Sequence, residues 1–152
     1  MTWMMTFCLA LMSLTMQASA AEPIHITAEH MHMNTLQQHA TFSGGVHVTR
    51  GDFQLWSDKL VVFYQKQHIQ KAIADGRVRI TQNNKRGASN HAVFQNKQNM
   101  LILTGQASVE NEQGVIRGET IEYHIDTQET IVSQGAHQPV RLHIEDEGST
   151  QP

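Results

Sequence analysis

The stretch FSGGVHVTRGDFQLWSDKLVVFY, residues 42–64, carries the pattern that decides the fold of this chain. Apolar and polar residues alternate in Val46-His47-Val48-Thr49 and again in Phe53-Gln54-Leu55-Trp56. A period of two, with one apolar and one polar side, is typical of β-strands whose sheet is covered on one face. The turn formers Arg50-Gly51-Asp52 lie between the two runs, so the stretch predicts two strands joined by a tight turn.

The same alternation continues on both sides of this stretch. It is present in residues 24–28, 78–81, 121–125 and 140–144, whereas helical periodicity is nearly absent. Further turns are predicted where glycine or asparagine interrupts the runs, at Ser43-Gly44-Gly45, Asp75-Gly76, Asn83-Asn84, Glu112-Gln113-Gly114 and Gln134-Gly135. The chain is therefore predicted to be all-β.

Two series of short motifs repeat along the chain at intervals of about 30 residues. Glycine-led strands are predicted to begin at Gly45, Gly76, Gly105 and Gly135. A small residue followed by an acidic or amide residue recurs between them, at Ala28-Glu29, Ser57-Asp58, Ser89-Asn90 and Gly118-Glu119. Residues 42–64 also align without a gap on residues 103–125, at an offset of 61. Because one layer of sheet cannot bury its apolar face alone, these repeats predict stacked layers in an elongated β-structure.

The second series has a specific physical interpretation. Its Ala, Ser or Gly is predicted to point inward where two walls of sheet approach each other, because a larger side chain would not fit there. The acidic or amide residue that follows is predicted to point outward at a bend and to accept backbone N–H groups. Asp58, Glu29 and Glu119 are equally consistent with solvated surface charges, so the sequence leaves both interpretations open.

Composition argues against several other classes of protein. The formal net charge is −3 and only 6% of residues are aromatic, so we expect no nucleic-acid-binding surface. The single cysteine, Cys8, rules out a disulfide within one chain. His30-Met31-His32 puts two histidines on one strand face, but without further ligands or an HExxH motif we expect no metal site and no cofactor. A nucleophile elbow, a Cys/His pair and a phosphate-binding loop are all missing from the sequence, which therefore does not predict an enzyme.

The first 20 residues, MTWMMTFCLALMSLTMQASA, have the composition of an export signal. An apolar run from Phe7 to Met16 precedes Ala18-Ser19-Ala20, a small-x-small cleavage site, so cleavage is predicted between Ala20 and Ala21. A short membrane anchor is the alternative, although this run is shorter than the ~20 residues that a membrane span needs. The predicted organisation is a signal peptide at 1–20, a β-domain at 21–144 and an acidic, disordered tail at 145–152.

The chain resembles the periplasmic lipopolysaccharide-transport proteins of the LptA/OstA type. The resemblance is carried by five segments in order: residues 23–26 (PIHI), 40–49 (ATFSGGVHVT), 57–62 (SDKLVV), 103–107 (LTGQA) and 116–123 (IRGETIEY). It covers roughly residues 23–142, and the predicted export signal agrees with it. Trp56 and the acidic Glu145-Asp146-Glu147 depart from the family pattern, in which a smaller or polar residue and, in some members, a basic tail are more usual.

The resemblance implies an antiparallel β-jellyroll that is open at both ends and holds the acyl chains of lipopolysaccharide inside. It also implies head-to-tail homo-oligomers, and docking to an inner-membrane LptC-like and an outer-membrane LptD-like component that share the fold. The soluble bridging member is the best match, since the sister components carry a transmembrane anchor or a large barrel. The alternative function is a non-catalytic structural or adhesive β-repeat domain with a closed core.

Strand alternation identifies the residues expected to contact lipid. The interior candidates are Ile24, Ile26, Phe42, Val46, Leu55, Ile80, Phe94, Leu103, Ile121 and Tyr123. The alternative is that all of them fill an ordinary closed core, which is what apolar alternation in strands usually means. The strands expected at the two ends of the sheet provide the candidates for partner and oligomer contacts: Ile24, Ile26, Val140, Leu142 and Ile144.

Overall fold

The computed structural model describes residues 22–135 and 139–144, which form ten β-strands. The strands are β1 (His25–Thr27), β2 (His30–Asn34), β3 (His39–Arg50), β4 (Phe53–Gln65), β5 (His68–Gln82), β6 (Lys85–Gln95), β7 (Met100–Asn111), β8 (Gly114–His124), β9 (Glu129–Ser133) and β10 (Arg141–Ile144). The expected signal peptide, its cleavage site at Ala20 and Ala21, and the expected tail at 145–152 lie outside the described residues. The described part of the chain contains no helix of the length and apolarity needed to cross a membrane.

All ten strands belong to one antiparallel sheet, which confirms the predicted fold class. The order is β1-β3-β4-β5-β6-β7-β8-β10, with β2 beside β3 and β9 beside β8. From β2 to β9 the connections have two to four residues, so strands that follow each other in the chain pair with each other. In the described residues, β1 and β2 therefore form one free edge of the sheet, and β9 and β10 form the other.

The six long strands, β3 to β8, bend in the middle, where bulges interrupt their ladders. In β4, Leu55 and Ser57 are buried before the bend and Leu60 is buried after it, so the inward-facing positions change from odd to even numbers. In β5 the bend is made by Gly76 and Arg77, with φ angles of +81° and +47°. Both angles are left-handed, a conformation that glycine adopts without strain.

The line of bends divides the sheet into two halves, which we call wall A and wall B. Wall A contains β1, β10 and the strand halves that meet at the turns 51–52, 83–84 and 112–113. Wall B contains β2, β9 and the strand halves that meet at the turns 35–38, 66–67, 96–99 and 125–128. Every backbone ladder lies within one wall or the other, so the walls are joined through the bends and through side-chain packing.

The two walls face each other across a hydrophobic core. Gly87 of wall A and Ala92 of wall B belong to the same strand, β6, and Ala92 pairs with Leu103 of β7. If β6 were flat, Gly87 and Ala92 would lie about 16 Å apart, and Leu103 would be out of reach of Gly87. A Cβ atom on Gly87 would nevertheless lie 3.4 Å from Leu103 Cδ1, which is contact distance. Val46 and Ile121, from opposite walls, are each only 1% exposed in the same core cluster. Folding the sheet on itself therefore buries one apolar face of both walls.

Two of the predicted turns are wrong. Ser43-Gly44-Gly45 lies inside β3 and Asp75-Gly76 lies inside β5, and the glycine-led strands do not begin at their glycines. The reason is that a glycine with positive φ serves a hairpin turn and a bulge equally well, so the local signal is the same for both. The turns predicted at 50–52, 83–84 and 112–114 are confirmed.

The two repeated series of the sequence meet at the bends. Four glycines lie against acidic or amide side chains of the second series: Gly44 against Glu29, Gly76 against Asp58, Gly105 against Asn90, and Gly135 against Glu119. The glycine series predicted Gly45 as its first member, which is wrong by one residue, since nothing lies within 4 Å of a Cβ on Gly45. Ser57 and Ser89 are buried, as predicted for the small position, and each hydroxyl donates to the carbonyl two residues ahead. The expectation of backbone donors is wrong for Asp58, whose carboxylate accepts hydrogen bonds from the Arg77 guanidinium.

Candidate functional site

The inward-facing side chains form three rows that cross the sheet from one free edge to the other. Each row follows directly paired residues from strand to strand. Row 1, on wall A, consists of Ile26, Val48, Leu55, Ile80, Gly87, Val109, Ile116 and Leu142. Row 2, on wall B, consists of Met31, Phe42, Leu60, Ala74, Ala92, Leu103, Ile121 and Val132. Row 3, also on wall B, consists of Met33, Ala40, Val62, Ala72, Phe94, Leu101, Tyr123 and Thr130.

The rows form an almost continuous apolar surface. Thr130 and the hydroxyl of Tyr123 are the polar groups in them. Since neighbouring strands are about 4.8 Å apart, a row of eight residues spans on the order of 34 Å. This inner surface is therefore long enough to contact an extended hydrocarbon chain along its whole length.

The structure brings the predicted interior residues together on this inner surface. Eight of the ten belong to the rows, namely Ile26, Leu55, Ile80, Phe42, Leu103, Ile121, Phe94 and Tyr123. Val46 lies beside the bend of β3, and Ile24 directly precedes β1. Met31 and Met33 also lie on this surface and were not predicted, although HMHMN in β2 has the same alternation as the other strands.

Burial of these residues varies along the rows. Val46, Leu55, Ile80, Leu103 and Ile121 are buried, whereas Ile26, Phe42, Phe94 and Tyr123 are half-buried and Ile24 is exposed. The centre of the interior is thus filled by side chains of both walls. The apolar surface that stays accessible to solvent lies away from this centre, at the half-buried and exposed positions of the rows.

The side of the interior that lies opposite the bends is its mouth. Lys85 begins β6 on wall A, and its Nζ lies 5.7 Å from the centre of the Tyr123 ring on wall B. A cation above an aromatic ring is attracted by the electrons of the ring face. One positive charge therefore stands at the rim of the apolar interior and bridges the two walls.

The free edges expose apolar side chains that continue the rows. Met31 and Leu142 are both 61% exposed, although their row neighbours Phe42 and Ile116 are half-buried. Val140 and Ile144, which were predicted to contact partners, are also exposed. In the described residues each edge strand has a paired neighbour on one side only, so a line of backbone N–H and C=O groups stays available there.

The outer surfaces of the two walls differ from each other. On wall A, Trp56 stacks on His47 with ring centres 4.9 Å apart, and Arg79 lies 5.8 Å from the Trp56 ring. Trp56 and Arg79 border a shallow depression of about 400 Å³ whose other lining residues include Ala88, Ser108 and Arg117. Trp56, which departs from the family pattern, therefore belongs to the outer surface and not to the interior.

The outer face of wall B carries an apolar row that was not predicted from the sequence. It consists of the paired, half-buried residues Val61, Ile73, Val93 and Ile102. The alternation in these strands gives apolar residues on both faces, so it does not identify the face that is covered. Packing against the opposite wall decides this, and packing depends on contacts between distant residues.

The bend of β5 holds the most clearly perturbed charged pair. Arg77 Nη2 lies 2.6 Å from Asp58 Oδ1, and both side chains are on the outer surface. The hydrogen bonds from Arg77 hold the pKa of Asp58 below its ordinary value, and the same bonds raise the pKa of Arg77. Among the described residues, no three His, Cys, Asp or Glu side chains are grouped so that they could hold a metal ion.

Sequence comparison identifies relatives of this chain. A protein-family model described as LptA/(LptD N-terminal domain) LPS transport protein matches residues 25–129. The lipopolysaccharide export system proteins LptA of Escherichia coli strain K12 and of Shigella flexneri are each 27% identical over 115 residues. Each alignment covers 70% of this chain and 62% of the relative. The chain thus spans less than two thirds of the length of these curated relatives.

A solved structure has the same fold. The crystal structure of LptH, the LptA-homologous periplasmic component of the lipopolysaccharide transport device of Pseudomonas aeruginosa, superposes with a TM-score of 0.75 at 20% identity. The superposition covers 82% of this chain and 96% of LptH, so the open antiparallel β-jellyroll is confirmed. Because the family model matches well over half of the sequence, this chain belongs to the LptA/LptD N-terminal domain family of lipopolysaccharide transport proteins.

Proposed function

We propose that this chain is a periplasmic lipopolysaccharide-binding transport protein that shelters acyl chains between its walls and bridges export components of the inner and outer membranes. The observation that carries the proposal is that rows 1 and 2 remain apolar up to both free edges. A self-contained core is usually closed by polar side chains at its ends, whereas Met31 and Leu142 end these rows in solvent. Such a surface suits a long apolar ligand that passes along the sheet.

The energetics of lipid transfer explain why such a surface is needed. Exposing one methylene group to water costs ~0.8 kcal/mol, so a twelve-carbon chain costs on the order of 9 kcal/mol. A lining of Val, Leu, Ile and Phe side chains lowers this cost without any bond chemistry. Because the lipid has to move on, weak contacts spread over a row suit the task better than one deep polar pocket.

We expect acyl chains to enter through the mouth between the walls. Phe94 and Tyr123 of wall B are half-buried there. Since every ladder lies within one wall, the walls can separate without breaking backbone hydrogen bonds between strands. Lys85 would then leave the Tyr123 ring and face the anionic headgroup of the lipid.

The free edges are the proposed contact sites for partners. Strand addition at β1 and β2 or at β9 and β10 would satisfy their free backbone groups and extend the apolar rows into the neighbour. We propose that Ile24, Ile26, Val140, Leu142 and Ile144 contact LptC-like and LptD-like components or further copies of this chain. Export by cleavage between Ala20 and Ala21, and a disordered tail at 145–152, belong to the same proposal.

The test uses a photo-crosslinking amino acid at two neighbouring positions of one strand. Phe94 faces the interior and Val93 faces outward, so the two sites differ in face but hardly in location. In living cells we expect lipopolysaccharide adducts from position 94 and at least tenfold fewer from position 93. Equal labelling at both positions, or none at 94 while the protein is folded and abundant, would overturn the proposal.

One observation favours the structural β-repeat domain as the second candidate. The centre of the interior is filled, with Val46 and Ile121 almost inaccessible. Organic extraction of the purified protein separates the two functions, because a lipid-transfer protein releases bound lipid or fatty acid, whereas a closed scaffold releases none. Recovery of about one lipid per protein chain would exclude the scaffold.

A further inference from the structure

The arginines of this chain are confined to one wall. All six lie on wall A or at its bend, whereas four of the five lysines lie on wall B or in its turns. The arginines are Arg50, Arg77, Arg79, Arg86, Arg117 and Arg141. Arginine binds phosphate and carboxylate groups through two parallel N–H bonds, whereas lysine acts as a single point charge. Although the whole chain has a formal net charge of −3, wall A is therefore suited to bind an anionic group.

Three of these arginines surround the shallow depression on the outer face of wall A. Arg79 of β5 and Arg117 of β8 are separated by two strands, so their Cα atoms lie about 14 Å apart. The residues directly between them are Ala88 and Ser108, whose small side chains form the floor of the depression. Arg86 lies beside this floor, on the side of the mouth. We call Arg79, Arg86 and Arg117 the arginine cradle.

The guanidinium groups of the arginine cradle are available to a ligand. Within residues 22–135 and 139–144, no carboxylate lies within 4.0 Å of a cradle nitrogen, although Glu110 is paired with Arg86 in the ladder. Glu110 supplies the one carboxylate of the described lining, so the depression keeps two positive charges in excess. The Trp56 ring, whose centre is 5.8 Å from Arg79 Cζ, attracts that guanidinium without using its N–H groups.

The arginine cradle begins at the mouth of the interior. Lys85 and Arg86 are consecutive residues of β6, and neighbouring residues of a strand point to opposite faces. Lys85 therefore stands over the interior, near the Tyr123 ring, while Arg86 stands on the outer face. Their Cα atoms are ~3.8 Å apart. A ligand whose apolar part lies between the walls can thus place an anionic part over the rim and into the cradle.

We propose that the arginine cradle binds phosphate groups of the lipopolysaccharide headgroup while the acyl chains lie between the walls. The inference rests on the proposed function, and it adds a binding site for the headgroup on the outer face of wall A. The charge of the cradle is complementary to phosphate, and bidentate hydrogen bonds from arginine match the geometry of phosphate oxygens. The site is formed by the arginines of three strands, β5, β6 and β8, that the fold holds at fixed distances.

The surroundings of the cradle favour a phosphorylated sugar over a flat anionic surface. A second depression of about 630 Å³ shares Trp56, Arg79 and Ala88 with the first and extends it towards the bends. It adds the side-chain amides of Asn90 and Gln106, which can exchange hydrogen bonds with sugar hydroxyls. A bilayer surface would contact only the tips of the arginines, because the floor between them is recessed. A projecting headgroup can reach both the floor and the amides.

Charge-removing variants on the two walls test the cradle. Arg79→Gln with Arg117→Gln removes two positive charges from it, and Lys59→Gln with Lys71→Gln removes two from the outer face of wall B as the matched control. Arg86→Gln is the second cradle variant, because it leaves the contact between Arg79 and the tryptophan ring intact. All of these side chains are exposed, so circular dichroism is expected to show parent-like folding for every variant.

The tryptophan of the cradle provides the measurement. Trp3→Phe leaves Trp56 as the only tryptophan of the chain, so its fluorescence reports on the depression that it lines. Every variant is made in this background and titrated with lipopolysaccharide and with the same lipopolysaccharide after its phosphate groups have been removed. Glucose 1-phosphate serves as a phosphorylated sugar without acyl chains, and phosphatidylglycerol vesicles serve as an anionic membrane surface.

We expect Arg79→Gln with Arg117→Gln to weaken binding of lipopolysaccharide about tenfold, since charged hydrogen bonds to phosphate are lost. Arg86→Gln should weaken it by a smaller factor, and the wall B control should change it less than about twofold. The lipid without phosphate groups should bind the parent and the cradle variants equally, because its acyl chains still lie between the walls. Glucose 1-phosphate should shift the Trp56 emission of the parent and leave that of the double cradle variant unchanged.

Several outcomes would contradict the proposal. Equal losses in the cradle and wall B variants, or losses that persist with the lipid without phosphate groups, would overturn the cradle and leave the proposed function intact. Stronger binding to phosphatidylglycerol vesicles than to lipopolysaccharide would assign the cradle to a membrane surface and overturn the headgroup site. A folded parent protein that binds neither form of lipopolysaccharide would overturn the proposed function together with the cradle.

Discussion

Ile80 and Leu142 occupy equivalent positions in the sheet, yet Ile80 is 7% exposed and Leu142 is 61% exposed. Each is an aliphatic residue of row 1, and each pairs with the long strand before it. The difference is that β6 covers the other side of β5, whereas β10 is followed by no strand in the described residues. An inward-facing residue of this fold is therefore buried only when its strand has a neighbour on both sides. Residues of a free edge belong to the same rows but lack the second neighbouring strand.

The largest expected effect comes from truncating the covered member of this pair. Ile80→Ala should lower the free energy of unfolding by about 2–4 kcal/mol, because it leaves a cavity in the packed centre. Leu142→Ala should change the free energy of unfolding of the monomer by less than ~0.5 kcal/mol, since the removed atoms are already in water. Urea unfolding at concentrations below assembly measures both values. Similar losses for the two variants would show that the edge is covered in the monomer.

This contrast also marks the limit of what could be predicted from the sequence. Alternation identified the strands and placed Leu55 and Ile121 correctly on one inward surface. It could not distinguish the exposure of Ile80 from that of Leu142, because the two strands have the same local pattern and differ only in their neighbours. Gly76 was predicted to lie in a turn for a related reason. Its positive φ is compatible with a turn, and the Asp58 side chain that packs against it in the bend comes from another strand, so the local sequence does not indicate the bend.

The second expected effect concerns Leu142 and acts on self-association, whereas the first concerns Ile80 and acts on the free energy of unfolding. Leu142→Asp should weaken self-association at least tenfold, since the carboxylate would have to be buried in the proposed contact between copies. The free energy of unfolding of the monomer should hardly change, because Leu142 is exposed there. Light scattering over a dilution series, with circular dichroism as the control for folding, measures this. Unchanged association with a normal spectrum would mean that β10 takes no part in the contact.

The third expected effect is a difference in stability between alanine substitutions at two glycines of the bends, Gly76 and Gly45. Gly76→Ala should cost about 2 kcal/mol, because φ is +81° and the new Cβ would lie 2.9 Å from the Cβ of Asp58. Gly45→Ala is the matched control, since its φ is +58° and no atom lies within 4 Å of the new Cβ. Its counterpart at an offset of 61 is Gln106, a non-glycine residue with φ of +50°, so a cost near 1 kcal/mol or less is expected. If thermal unfolding gave equal losses of stability for Gly76→Ala and Gly45→Ala, the close contact with Asp58 would not be the reason why residue 76 is a glycine.

The smallest effect concerns the charge that faces Gly76. Because the folded state holds the pKa of Asp58 below its ordinary value of 3.8, its contribution to stability is present at neutral pH and is lost as the pH falls through the lowered folded value. Asp58→Asn should remove this part of the acid sensitivity and change the urea midpoint at pH 7 only slightly, since the pair with Arg77 is exposed. Asn90 already occupies the equivalent position against Gly105 without a charge, so the bend itself needs the size of this side chain more than its ionisation. An Asp58→Asn variant that unfolds at neutral pH would instead make the ion pair with Arg77 a requirement of the bend.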